Sequence, residues 1–135
     1  MTDLAHQIGT FITTEHSNRA TLLPATSVEA VTGRFDVITL ADVVHHVPPA
    51  QRPGFFASIA QTATRTGCQA LLVKDIQPGG LRANLAMWGD WYTTGDRQVR
   101  QLAPEALAFP GFALTHTAMP DHPNYGAVFR RADGI

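Results

Sequence analysis

Residues 35–48 read FDVITLADVVHHVP. Phe35, Val37, Ile38 and Leu40 make a run that is apolar almost throughout, the pattern of a strand buried on both faces, as in a parallel sheet. Asp42 stands just past it, then the pair His45 and His46, then Pro48 and Pro49, which break regular structure and restart it. About one helix-length later a second strand-like run, ALLVKDI (Ala70–Ile76), ends in its own charged tip, Lys74 and Asp75. Two such runs separated by a helix form a βαβ unit, and α/β folds hold ligands beyond the C-terminal ends of these strands.

The connecting stretch supplies the helix. From Pro53 the apolar positions Phe55, Phe56, Ile59, Ala60 and Ala63 fall on one stripe, with Ser58, Gln61, Thr62 and Arg65 opposite. Pro53 suits the first turn, where its missing N–H costs nothing, and Gly67 ends the helix. After the second strand, Pro78-Gly79-Gly80 makes a turn. Leu81, Leu85, Trp88, Trp91 and Tyr92 then recur at helical spacing, which predicts a second helix packed on the sheet as far as Gly95. Pro104 opens one more short helix over residues 104–109. Segments 112–119 and 125–130 flank PDHPN, a loop so short that the two strands must be antiparallel neighbours. The expected fold class is α/β: a partial doubly wound, mostly parallel sheet with helices on both faces and a C-terminal antiparallel hairpin. Residues 1–19 read as an irregular or helical lead-in and 20–23 as a short strand ended by Pro24. Residues 27–31 read as one helical turn capped by Thr26 or Ser27 and stopped by Gly33.

A chain of 135 residues with 44% hydrophobic content suits one small domain, here residues 1–135. The formal net charge of -1 offers no electrostatic reason to expect nucleic acid or an anionic membrane. No apolar run approaches the roughly 20 residues of a membrane helix, and MTDLAHQIGT lacks the layout of a signal peptide. A lone cysteine, Cys68, excludes an intrachain disulfide and fits a reducing cytoplasm.

The two strand tips gather the groups that carry chemistry. Asp42 suits a hydrogen bond from a ligand amine or hydroxyl, or equally a cap on the next turn. His45 or His46 suits a general base near neutral pH. In regular structure neighbouring side chains point apart, so at least one of the pair reads as a packing or surface residue. No metal centre is expected, because no second His or Cys sits at ligand spacing. Lys74 and Asp75 either meet a ligand or form a local ion pair. Asp90 leans over the same rim from the second helix. Trp88, Trp91 and Tyr92 read as core, with an apolar pocket wall as the alternative. His116 in a strand reads as structural, and His122, Arg97 and Arg100 as solvated. Cys68 has no paired base and makes a poor nucleophile.

Taken together, residues 20–131 resemble the C-terminal half of a class I S-adenosylmethionine-dependent methyltransferase. FDVITLADVVHHVP is similar to the fourth strand and following loop of that family, ALLVKDI to the fifth, FPGFAL to the entry of a late strand, and YGAVFRR to the final antiparallel strand. The resemblance implies S-adenosylmethionine as cofactor and a small-molecule substrate. It places Asp42 and Thr26 at the cofactor, His45 or His46 as the base, and Lys74, Asp75 and Asp90 at the substrate. The chain departs from the family upstream. Only Gly9 and Gly33 precede Asp42, so the glycine-rich turn of the first strand is missing, and Glu15 is the sole mimic of the ribose-binding acid. The first two βα units are then deleted, remodelled or supplied by another chain. Without them the first strand here would expose an apolar edge. Residues 1–23 would cover it, or the chain would form a homodimer or join a full-length methyltransferase through it. A non-catalytic scaffold or dimerisation partner is the alternative function. A nucleotide-binding domain of other chemistry would need a phosphate loop, and none is present.

Overall fold

The computed structural model describes residues 27–95, 97–118 and 123–132. The expectations for residues 1–23, Thr26, Glu15 and His122 lie outside these. The chain divides into two compact units, Met1–Val31 and Thr32–Ile135. In the first, the expected turn is a 3-10 turn, Val28–Ala30, whose preceding Ser27 makes no side-chain cap bond.

The second unit holds one four-stranded sheet: β1 (Val37–Ala41), β2 (Ala70–Ile76), β3 (Phe112–Ala118) and β4 (Asn124–Arg131), in the order β1-β2-β4-β3. β1 and β2 run parallel, with Leu40 beside Val73 and Ala41 beside Lys74. The hairpin of β3 and β4 is antiparallel and enters the sheet through β4, which pairs antiparallel with β2. The predicted βαβ unit and terminal hairpin are therefore both present. The described sheet is mixed rather than mostly parallel, because one pairing of its three is parallel.

Helix α1 (Arg52–Thr66) carries Pro53 in its first turn, and Gly67 at φ 78° returns its N–H to the carbonyls of Ala63 and Thr64. Only a residue without Cβ takes that left-handed cap without strain. Phe56, Ile59, Ala60 and Ala63 are buried. Phe56 meets Phe109 edge-on at 5.0 Å, and Phe109 meets Phe129 of β4 at 4.9 Å, so α1 is tied to one face of the sheet through an aromatic chain. Leu71 and Val73 line that same buried face. Thr62, expected on the wet side, is buried, and its carbonyl accepts the hydroxyl of Thr66 at 2.8 Å.

Two expectations about packing are corrected. β1 and β2 are not buried on both faces: Val37, Thr39, Leu72 and Lys74 all lie exposed on the face away from α1. The second helical layer is thus not seen over these residues. The second helix, α2 (Leu81–Thr94), leaves most of its large apolar residues exposed, Trp91 alone of the predicted stripe being half-buried. Leu81, Leu85, Trp88 and Tyr92 are exposed, and the single fully buried residue of the helix is Ala83. The predicted helix at 104–109 shortens to a 3-10 turn, Pro104–Ala106, beyond which Leu107 and Phe109 enter the core.

Candidate functional site

Beyond the C-terminal ends of β1 and β2, the backbone must leave the sheet and return as α1. It does so through Asp42 at φ 55°, the one non-glycine residue with positive φ among those described. Aspartate is one of few side chains that tolerate this conformation. A 3-10 turn, Val44–His46, follows at once. Asp42 does not cap it. The cap comes from across the sheet: the Asp75 carboxylate accepts the N–H groups of Val44 at 2.8 Å and His45 at 3.2 Å. The turn is also held from behind. Arg100 N–H donates to the His45 carbonyl at 3.0 Å, and the buried Arg52 donates through Nε to Val47 O at 3.0 Å and through Nη2 to the Arg100 carbonyl. Burial lowers the Arg52 pKa, and the repulsion of Arg100 adds to this against the opposing pull of Asp75.

The 3-10 turn brings both histidines to one carboxylate. His45 is buried; its Nδ1 meets Asp75 Oδ1 and its Nε2 lies 3.1 Å from Asp90 Oδ2. His46 Nε2 lies 3.4 Å from the same oxygen, and the two rings stand 4.1 Å apart. The expectation that one of the pair must point elsewhere is corrected here. The expectation holds for regular elements, and here a single irregular turn after the positive-φ Asp42 carries both rings to the same side. Burial pulls the His45 pKa down. The hydrogen bond and negative charge of Asp75, joined by Asp90, outweigh that and leave it raised above the ordinary histidine value. An imidazolium with a carboxylate at each nitrogen is what such a position favours.

Asp75 accepts a further hydrogen bond from the N–H of Ile76 at 2.7 Å and is itself buried. It faces backbone and imidazole donors and is not among the residues that line the pocket at this end of the sheet. Lys74 points to the opposite side of its strand and binds Asp42, with Nζ 2.7 and 2.5 Å from the two carboxylate oxygens. The two strand tips therefore meet as an exposed ion pair, backed by the N–H of Asp42 on the Lys74 carbonyl at 2.9 Å.

An open pocket of about 430 Å³ lies at this end of the sheet, lined among others by Asp42, His45, His46, Ile76, Asp90 and Asn124. Four of the seven expected site residues thus share it. Lys74 reaches it only through Asp42, Asp75 only through His45, and Thr26 lies outside the described residues. Asn124 was not anticipated. It is the first residue of β4, beside Ile76 in register, where Gln77 N–H donates to Pro123 O at 2.7 Å. The PDHPN loop reads as a turn, and a turn residue gains a pocket role only from the strand order. α2 presents Ala86, Gly89, Asp90 and Thr93 to the pocket, so Trp88 and Tyr92 face solvent instead of lining it.

No protein-family model matches the chain, and no curated protein matches it. Solved structures do. The mitomycin 7-O-methyltransferase MmcR superposes with a TM-score of 0.70 at 17% identity, over 95% of this chain and 39% of its own. The magnesium protoporphyrin IX methyltransferase ChlM from Synechocystis PCC 6803 superposes with its S-adenosylmethionine (SAM) form at TM-score 0.54 and 16% identity, over 95% of this chain and 53% of its own. The form of the same enzyme with bound S-adenosylhomocysteine (SAH) gives 0.50 and 17%, over 79% and 49%. The chain therefore spans about two-fifths to one-half of these proteins. What is shared at this identity is the fold, which is the class I methyltransferase fold that residues 20–131 resemble.

Proposed function

We propose that this chain is the substrate-side half of an S-adenosylmethionine-dependent methyltransferase that acts on a hydroxyl of a small molecule. The observation that carries this is the convergence of Asp42, His45, His46 and Asp90 on one pocket, at the strand ends of a methyltransferase fold. The ChlM structures, with bound SAM and SAH, support the choice of cofactor. The described residues fit its reactive end: the pocket is open and carries the Asp42 and Asp90 carboxylates, groups suited to a sulfonium. Asp42, and Thr26 by the family resemblance, would hold the cofactor, which supplies an electrophilic methyl group when bound.

His46 is the base in this reading. Both ring nitrogens of His45 already face carboxylates, whereas the His46 ring stands part-exposed at the pocket wall. His46 would take the hydroxyl proton as the oxygen attacks, with Asp90 stabilising the resulting imidazolium. Asp75 keeps His45 in place, and His45 in turn fixes Asp90. Transfer of a methyl group needs chiefly alignment and a dry approach.

Calorimetry of the purified chain with SAM and with SAH tests the reading. Heat of binding that Asp42→Ala weakens supports it; no heat and no thermal shift refutes autonomous cofactor binding. The second reading is then a non-catalytic scaffold that joins a methyltransferase or a second copy of itself, consistent with the exposed apolar face of β1 and β2.

A further inference from the structure

His45, His46 and Asp90 have a second chemistry that methyl transfer does not use. One ligand atom from each lies within 4.8 Å of the others. A tetrahedral ion with legs of about 2.0–2.1 Å requires ligand atoms about 3.3 Å apart. Asp90 Oδ2 stands 3.1 Å from His45 Nε2 and 3.4 Å from His46 Nε2, so two edges of that tetrahedron are built. The third edge, between the two imidazoles, closes by rotation of His46, the more exposed ring. The outer arrangement matches as well. A metal-binding histidine nearly always gives its other ring N–H to a carboxylate, a backbone carbonyl or a water, which fixes the tautomer and aims the lone pair. Asp75 does this for His45 at Nδ1, and it is itself anchored by the N–H groups of Val44, His45 and Ile76. All three residues line the open pocket.

We propose that His45, His46 and Asp90 form a binding site for a late first-row divalent metal ion such as zinc. Two imidazole nitrogens and one carboxylate oxygen suit zinc, iron or nickel, and not magnesium or calcium, which prefer oxygen-rich sets. On loading, the proton between His45 Nε2 and Asp90 leaves to solvent and the ion takes its place. The site needs only these three side chains and their Asp75 support, so it does not rest on the methyl-transfer reading. The two uses exclude one another, because a nitrogen bound to the ion cannot take a substrate proton.

The test is titration of the chelator-treated full chain with zinc chloride, by calorimetry and by competition with a chromophoric chelator, in the absence of SAM. The expected result is one strong site per chain. Asp90→Asn and His46→Ala, both at part-exposed positions, each weaken it by at least about 10- to 100-fold, the range seen even for lost supporting contacts. His116→Ala on β3 leaves it unchanged. Substitution of cobalt gives the visible ligand-field bands of a four-coordinate site, and His46→Ala removes them. Absence of a strong site, or zinc affinity equal in wild type, Asp90→Asn and His46→Ala, overturns the proposal whatever the outcome with SAM. Circular dichroism of each variant separates lost ligation from lost folding.

Discussion

Asp42 and Asp75 are the same residue type at the same end of neighbouring strands, and their surroundings give them opposite work. Asp75 is buried and accepts three backbone N–H groups as well as the His45 ring. Removing a charge from such a network strands its buried partners, so Asp75→Asn should cost about 3–5 kcal/mol in chemical denaturation. Asp42 pairs with Lys74 at an exposed position, and Asp42→Asn, which keeps a side chain tolerant of positive φ, should cost less than about 1 kcal/mol. Equal costs would mean that the two tips are not distinguished by burial. His45 adds a pH dependence of definite sign. Its folded pKa is raised, so the stability it contributes is fully present below its unfolded value of about 6.5 and is lost as pH climbs through the folded value. An NMR titration of the His45 ring should show a lower pKa in Asp90→Asn than in wild type, since Asp90 is one of the raising charges. An unchanged value would remove Asp90 from the account. Neither role could be read from the residues alone. The sequence places Asp75 and His45 about thirty positions apart, and only the parallel register of β1 and β2 sets one over the other.

The two helices show where periodicity informs and where it misleads. In α1 the apolar stripe and the buried face coincide, because Phe56, Ile59 and Ala63 meet the sheet through Phe109 and Phe129. In α2 the stripe Leu81, Leu85, Trp88 and Tyr92 is just as regular, yet it faces outward. The one fully buried residue of the helix is instead the small Ala83, with Trp91 half-buried, and Asp90 reaches the histidines. A spacing of three and four locates a helix and names its apolar side, but not which side has a partner. Phe56→Ala should therefore cost about 3–5 kcal/mol. Trp88→Gln should change stability by no more than about 0.5 kcal/mol, as for a surface site. Urea denaturation of the two variants checks this; a large cost at Trp88 would place the stripe in a core. β1 misleads in the same way. Val37, Ile38 and Leu40 read as one apolar run, and only exposure separates Val37 from Leu40.

At the scale of the molecule, the βαβ unit and the terminal hairpin were legible from the chain, because each strand and turn carries its own residues, but the insertion of β4 beside β2 was not. Nor was what covers the sheet, because cover is a property of two surfaces. Val37, at 46% exposure, and Leu72, at 37%, lie on the face opposite α1, beside a shallow groove of about 290 Å³ that reaches His116 and Val128. Among the described residues β1 also ends the sheet. Apolar surface of this kind, next to an edge strand, promotes association. The chain spans 39% to 53% of its fold neighbours. A second copy meeting this face at high concentration is the outcome we predict. Sedimentation velocity over a wide concentration range should show reversible dimerisation. Leu72→Glu, which places a charge in the middle of the open face, should shift the chain to monomer without loss of cooperative unfolding. A wild-type chain that stays monomeric throughout, or a Leu72→Glu variant that dimerises as strongly, would take this face out of self-association. The cover would then have to come from within the chain or from an unlike partner.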